Sequence, residues 1–247
     1  MVAAPLPRNR YMPFVRSPLA MDTTYNSKLG YSSVVNTFEV LKPLPRRHQQ
    51  RTTAVSPDGS KMCVVGDSNL VFLFHKRGDT FEKIATLTAS NDASFSCDWS
   101  QSSELFAVGS QDGYVTVWDI RSHQQRLVQL ETFQHGRSRG ACRNVKFSPT
   151  GSIDLLAFSE HTSYVNIVDT RCFDKRQILH VSGMPEAEVV ETQAATDSPS
   201  MMDMDLQITG LRFASDSSSL FVGLEESILE YAVDRVGRHS FSSSAII

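Results

Sequence analysis

Four stretches of this chain share one pattern, and that recurrence limits the possible folds more than any single motif does. They are "AVSPDGSKMCVVGDSNLVFLFHK" from Ala54, "CDWSQSSELFAVGSQDGYVTVWDI" from Cys97, "VKFSPTGSIDLLAFSEHTSYVNIVDT" from Val145 and "LRFASDSSSLFVGLEESILEYAV" from Leu211. Each opens on an apolar residue followed by Ser or Ala: Val55-Ser56, Trp99-Ser100, Phe147-Ser148 and Phe213-Ala214. Each closes on Phe74, Trp118, Val168 or Tyr231, which lie 19, 19, 21 and 18 residues after the openers. The first three openers are 44 and 48 residues apart.

Within each unit the local chemistry is that of short antiparallel strands. Tyr114-Val115-Thr116-Val117-Trp118 alternates with period two, as a strand with two distinct faces does. Pro57-Asp58-Gly59, Pro149-Thr150-Gly151 and Gln111-Asp112-Gly113 are tight-turn sequences, in which Pro presets φ and Gly accepts the left-handed region. "FEKIATLT" (Phe81 to Thr88) and "QQRLVQLETF" (Gln124 to Phe133) lie between the aligned cores and supply an outer strand. Four short strands per unit at this period is the layout of a propeller blade.

The units resemble WD40 repeats, and "VGSQDGYVTVWDIRS" is the best match. The resemblance implies that Ser110, Asp112 and Trp118 belong to a hydrogen-bond network that locks the blade. The chain departs from the pattern in lacking a well-placed Gly-His pair and in carrying Val168 and Tyr231 where the repeat has Trp. His161 aligns with Asp112, where a structural hydrogen bond is expected. In the third unit, "SIDLLAFSEHTSYVNIVDTRCFDKRQIL" is similar to a segment with a DLL signature in a group of fungal WD-repeat-like proteins. By the same resemblance, that group includes a substrate receptor of the yeast GID ubiquitin ligase, which captures proteins through their N-terminal residues. On the residues alone, Asp154-Leu155-Leu156 is the start of a buried strand.

The expected fold is therefore all-β: a WD40-like β-propeller with about four recognisable degenerate blades, partial or incompletely closed. Residues 1–30, rich in Pro and polar side chains, read as a disordered or extended N-terminal arm. The propeller region is 31–247, with blades at about 51–90, 91–134, 141–181 and 207–247. "SSVVNTFEVLKPL" (Ser32 to Leu44) is the candidate for added strands, and "RHSFSSSAII" reads as one more strand of a larger propeller. Residues 182–206 break the period. Between Met184 and Leu206 there are six acidic residues and no Lys or Arg, the composition of a long inter-blade loop, with Ser198-Pro199 as a weak phosphosite signal. "PLPRRHQQR" (Pro43 to Arg51) reads as a solvated basic loop.

Charge and motif content narrow the function. A net charge of -3 lacks the basic footprint of a nucleic-acid binder. No apolar run approaches membrane-spanning length, and Pro and Arg interrupt the N-terminal segment as no secretory signal would be interrupted. Cys63, Cys97, Cys142 and Cys172 show no paired metal spacing, three of them fall in expected strands, and small buried hydrophobes are the reading, in a cytoplasmic or nuclear protein. Phosphate-cradling loops, HExxH and nucleophile-elbow motifs are absent from the sequence, so no enzyme and no cofactor is expected. The expectation is a protein-interaction scaffold whose partners are other proteins or peptides, with no nucleic acid and no membrane. The finer resemblance implies ubiquitin-ligase subunits and substrate N-termini as partners. Arg137, Arg139 and Arg143 cluster before the third unit and are the candidate partner-binding residues, suited to carboxylates. Two other classes fit the same frame: a propeller-framed hydrolase or metal enzyme, and a truncated paralogue without independent function.

Overall fold

The structure, a computed structural model, describes residues 15–18, 50–132, 134–135, 138–149, 153–181 and 206–234. In chain order the strands are β1 (Val15–Pro18), β2 (Gln50–Val55), β3 (Lys61–Gly66), β4 (Ser68–Arg77) and β5 (Thr80–Thr88). They continue with β6 (Ser94–Trp99), β7 (Leu105–Ser110), β8 (Tyr114–Asp119), β9 (Val128–Glu131), β10 (Gln134–His135) and β11 (Ser138–Arg139). The last are β12 (Asn144–Phe147), β13 (Leu155–Ser159), β14 (Tyr164–Asp169), β15 (Arg176–His180), β16 (Gly210–Phe213), β17 (Ser219–Gly223) and β18 (Ile228–Val233). Among the described residues the helical content is a single 3-10 turn at Ile120–Ser122.

Four antiparallel sheets of four strands result, ordered β2-β3-β4-β5, β6-β7-β8-β9, β12-β13-β14-β15 and β16-β17-β18-β1, with β10 and β11 forming a separate small hairpin. The first three sheets are simple meanders. The fourth takes its outer strand from the other end of the chain, where Val15 pairs with Val233 and Pro18 with Tyr231. The extended-arm segment thus contributes a strand. A Pro there is tolerated because β1 is an edge strand. The four sheets stand side by side as blades of an open arc rather than a closed ring. The stretch 32–44, the acidic stretch 182–205 with Ser198, Arg137 and the end beyond Asp234 lie outside the described residues.

The core sits in the seams between sheets. Alternate residues of each strand face opposite neighbours. In the first seam Cys63, Val65, Val71 and Leu73 meet Cys97, Trp99, Phe106, Val108 and Trp118. In the second, Ala107, Val115 and Val117 meet Cys142, Val145, Phe147, Leu156, Phe158 and Val168. In the third, Leu155, Ala157, Val165 and Ile167 meet Leu211, Phe213, Leu220, Val222 and Tyr231. The middle strands are buried on both sides, which is why β13 reads as the unbroken apolar run Leu155-Leu156-Ala157-Phe158. Phe106 anchors the first seam, stacked 5.0 Å from Trp118 and tilted 5.1 Å from Trp99. Cys63 and Cys97 lie in strands and Cys142 just before β12; all three are buried, while Cys172 is exposed. Burial pushes the Cys63 and Cys142 thiols up, and Cys97 and Glu160 respectively add to this, so these sulfurs pack rather than react.

The first turns of the first, second and fourth units use one backbone device. Gly59, Ser103 and Ser217 each lie four residues after an opener, and each has positive φ, at 70°, 60° and 57°. Asp58 tightens the first of these turns. Its carboxylate accepts from the Ser56 hydroxyl and from the Ser60 amide, which holds it well below the usual carboxylate range.

The innermost strand of each sheet is an edge, and its unpaired backbone groups need partners. Side chains of the neighbouring inner strand supply them. Thr52 Oγ1 donates to the Phe95 carbonyl at 2.7 Å, and the Trp99 indole donates to the Ala54 carbonyl at 3.0 Å, joining β2 to β6. The amides of Val145 and Phe147 donate to Ser96 Oγ at 3.1 Å and Asp98 Oδ2 at 2.8 Å, joining β6 to β12. Burial pushes the Asp98 carboxyl up, against the pull of Lys146 at 3.7 Å and the Phe147 amide.

Two expected outcomes follow from these seams. A Cβ at Gly109 would lie 2.5 Å from Cys142 Sγ and 2.8 Å from Val145 Cγ2, so Gly109→Ala overpacks the second seam. It lowers stability by about 1–3 kcal/mol in urea denaturation, and an unchanged midpoint contradicts the packing described. A carboxyl whose folded-state pKa is raised favours folding while it is protonated, and that contribution is lost as pH rises through the raised value. Asp98→Asn keeps an acceptor for Phe147 and removes the ionisation. The variant therefore gains stability relative to the parent as pH rises above about 4, the ordinary carboxylate range. A parent that gains on the variant over the same range refutes the burial assigned to Asp98.

Candidate functional site

Where the inner strands begin, they splay apart around an open cleft of about 610 Å³. Its lining comes from all four sheets: Thr52 of β2, Phe95 of β6, Arg143 and Asn144 at the start of β12, and Thr209 on the approach to β16, with Ile208, Gln207 and His161. Phe95, Arg143 and Thr209 each lie four residues before an opener, so the cleft is built from one repeated position. Thr52 stands three before its opener.

Arg143 is the one permanently charged side chain of this lining. Its guanidinium carbon sits 4.2 Å from the centre of the Phe95 ring, a cation–π stack that fixes the long side chain. The Arg143 amide donates to the Ser159 carbonyl at 3.0 Å, so the backbone is fixed as well. Its Nε is buried and has no hydrogen-bond partner. Asn144 Nδ2 donates to Ser159 Oγ at 2.9 Å, and Thr209 Oγ1 to the Leu224 carbonyl at 3.1 Å.

A buried polar network supports this rim from below. Asn166 Nδ2 donates to Glu160 Oε1 at 3.3 Å, and its Oδ1 accepts from Arg176 Nε at 3.0 Å and also from Arg176 Nη2. Burial lowers the Arg176 pKa, while the Glu160 and Glu131 carboxylates oppose that shift. Glu160 precedes His161 in the hairpin turn, and the Ile208 amide donates to the His161 carbonyl at 3.1 Å. Through the Thr162–Gln207 bridge the same turn is tied to the fourth sheet.

The residues singled out in the sequence fall in different places. Asp112 Oδ2 accepts from the Asn91 amide at 3.1 Å, which ties its turn to the connection leaving the first sheet. Its Oδ1 and the Ser110 hydroxyl are buried without hydrogen-bond partners, and Trp118 contributes its ring to the first seam. Pairing of Gly109 with Val115 and of Ser159 with Val165 puts Thr162, not His161, opposite Asp112. His161 instead lines the cleft.

The arginines separate as well. Arg139 packs over Tyr114 at 4.8 Å, donates to its hydroxyl at 2.8 Å and pairs with Glu131 at 2.7 Å, away from the cleft lining. Arg143 stands in the cleft, and Arg137 is outside the described residues. Arg139 ends the β10–β11 hairpin, whereas Arg143 lies beyond it, directly before β12, so the two side chains are placed by different elements. Among the described residues no group of His, Cys, Asp and Glu is placed to hold a metal ion, and no helix is long and apolar enough to cross a membrane.

Comparison with known proteins matches two segments. Residues 81–119 match the family described as "WD domain, G-beta repeat". That match runs from within β5 through β8, so a repeat in sequence is one outer strand plus the three inner strands of the next sheet. Residues 140–180 match a family described as "Uncharacterised protein domain (DUF2415)", the segment that holds Arg143, Asn144, His161 and the Glu160–Asn166–Arg176 network. An uncharacterised protein of Schizosaccharomyces pombe is 31% identical over 198 residues, 78% of this chain and 53% of that protein. An uncharacterised protein of Saccharomyces cerevisiae is 29% identical over 101 residues, covering 41% of this chain and 14% of its own length. A Caenorhabditis elegans homologue of the ribosome biogenesis protein BOP1 is 37% identical over 89 residues, 36% of this chain and 12% of the homologue. The chain therefore spans about half the length of the fission-yeast relative and smaller parts of the other two.

Proposed function

We propose that this chain is a non-enzymatic protein-interaction scaffold, and that the cleft at the start of the inner strands is where a segment of a partner docks. The observation that carries this reading is the cleft itself. Side chains from strands of the packed blades and from the turns and approaches beside them converge on it from four separate sheets, so the site is largely pre-formed. Its volume suits a few residues of peptide. The WD40 repeat supports the same general class, because repeats of that kind serve protein binding.

The finer reading is a substrate-receptor-like subunit of a ubiquitin ligase of the GID type, with ligase subunits and a substrate N-terminus as partners. It is supported by the sequence resemblance of the third unit. The DLL residues themselves serve packing: Leu155 and Leu156 are fully buried and face opposite seams. Contacts to a ligase would therefore be made by other residues.

Affinity purification from the native cells, run with the parent and with Thr209→Trp, tests both levels. Thr209 is exposed at the cleft rim, so the indole fills the cleft without entering a seam. The expected result is a set of proteins held by the parent and lost from a variant of unchanged melting temperature, with ubiquitin-ligase subunits retained by both. An identical set of captured proteins contradicts docking in the cleft, and a set without ligase subunits contradicts the finer reading.

A further inference from the structure

We propose that the cleft recognises a carboxylate on an extended peptide segment, and that Arg143, held flat against Phe95, is the residue that binds it. This rests on the cleft being the docking place, as set out above, and adds what the docked segment must present.

The first observation is that Arg143 lacks the carboxylate partner that several other arginines have. Arg77 pairs with Glu82, Arg121 with Asp119 and Glu104, Arg139 with Glu131 and Arg171 with Asp169, while Arg176 is met by Asn166. Among the described residues no carboxylate reaches Arg143, and its buried Nε donates to nothing. A donor buried without an acceptor is costly, so Arg143 is a side chain whose hydrogen-bonding capacity the fold leaves unused.

The second observation is orientation. The Arg143 guanidinium carbon lies over the Phe95 ring, which covers one side of a planar group whose N–H donors are carried on its edges. Those edges match the two oxygens of a carboxylate, giving parallel charge-assisted hydrogen bonds. The side chain is already immobilised, so little rotamer freedom is lost when the ligand arrives.

The third observation is the charge of the surroundings. The lining contains no Asp or Glu, and its other polar groups are Thr52, Asn144, His161, Gln207 and Thr209. The carboxylate beneath the rim, Glu160, accepts from Asn166 and lies within reach of the Arg176 charge. A single permanent cation is too few for a nucleic-acid backbone, whose binding needs several Lys or Arg along the track, and the net charge of -3 opposes such binding. A short peptide carrying one carboxylate fits both the charge and the volume.

The experiment uses the full chain labelled with nitrogen-15 and three peptide probes: N-acetyl-Ala-Asp-Ala-amide, N-acetyl-Ala-Asn-Ala-amide and N-acetyl-Ala-Ala-Ala as the free acid. Amide signals of Phe95, Asn144, His161 and Thr209 and the Arg143 Nε–Hε signal are followed during titration. The account expects saturable shifts with an acid probe and binding at least about tenfold weaker for the Asn probe. A response to the Asp probe alone assigns a side-chain carboxylate, and a response to the free acid alone assigns a chain end; either supports the proposal. Arg143→Gln removes the preference for the acid probe, and Phe95→Leu weakens binding several-fold while keeping the preference. Arg121→Gln, a charge removed elsewhere, changes nothing. Arg143→Lys, which keeps the charge and loses the planar fork, falls between parent and Arg143→Gln and covers the case in which the Gln variant misfolds. Equal binding of the Asp and Asn probes in the cleft overturns carboxylate recognition and leaves docking intact. Absence of cleft shifts with every probe overturns carboxylate recognition as well. If Thr209→Trp also captures the same partners as the parent, the docking reading falls with it.

Discussion

A four-stranded sheet that is apolar on both faces is stable in water only when another sheet covers each face. Strand alternation puts large side chains on both sides of β3, β7 and β13, and a period of 44 to 48 residues returns the chain to make another such sheet. The result is a row of seams. Each strand residue belongs to one seam or the next according to its parity, so Leu156 faces the second sheet and its neighbour Leu155 the fourth. Met62, Val64, Phe72 and Phe74 form the corresponding apolar cluster on the far side of the first sheet. The inner edges bring a second requirement, met by Thr52, Ser96, Asp98 and Trp99, which pair backbone groups that water would otherwise have to satisfy.

The cleft is a consequence of this arrangement. Each inner strand starts a few residues before its opener, and four starts on one arc leave a hollow between them. The third sheet makes that hollow chemically distinctive. Where the second sheet has Ser110 and Thr116 in its hairpin, the third has Glu160 and Asn166, with Arg176 completing a buried charged network. Burying such groups is costly, and hydrogen bonding within the network offsets that cost. The network holds the turn that carries His161 beside Arg143, and it falls in the segment matched by the uncharacterised domain rather than by the WD repeat.

Most of the architecture was legible because it is local. Alternation, the turn residues at Gly59 and Gly113 and the opener-to-closer spacing each follow from the chain's own stereochemistry. Three features were not legible. Pairing of Val15–Pro18 with β18 joins residues more than two hundred positions apart, and "VRSP" has no strand signal of its own. Arg139 belongs to the β10–β11 hairpin and Arg143 leads into β12, a division that two-residue strands do not announce. The hairpin register that sets Thr162 opposite Asp112 needed the backbone pairing, since the third unit is longer and aligns by eye one residue off. The cleft position was present in the repeat all along, four residues before Trp99, Phe147 and Phe213, but only the topology gives that position a meaning.

The central claim is that successive sheets stack and that side chains of one inner strand satisfy the backbone of the next. Hydrogen exchange at the Val145 and Phe147 amides measures this most directly, because β12 is an edge strand and these two donors have no strand partner on that side. Stacking predicts that both amides are protected to a degree comparable with amides inside β13. Exchange at the rate of open loop amides, in a protein whose β13 amides remain protected, would contradict it.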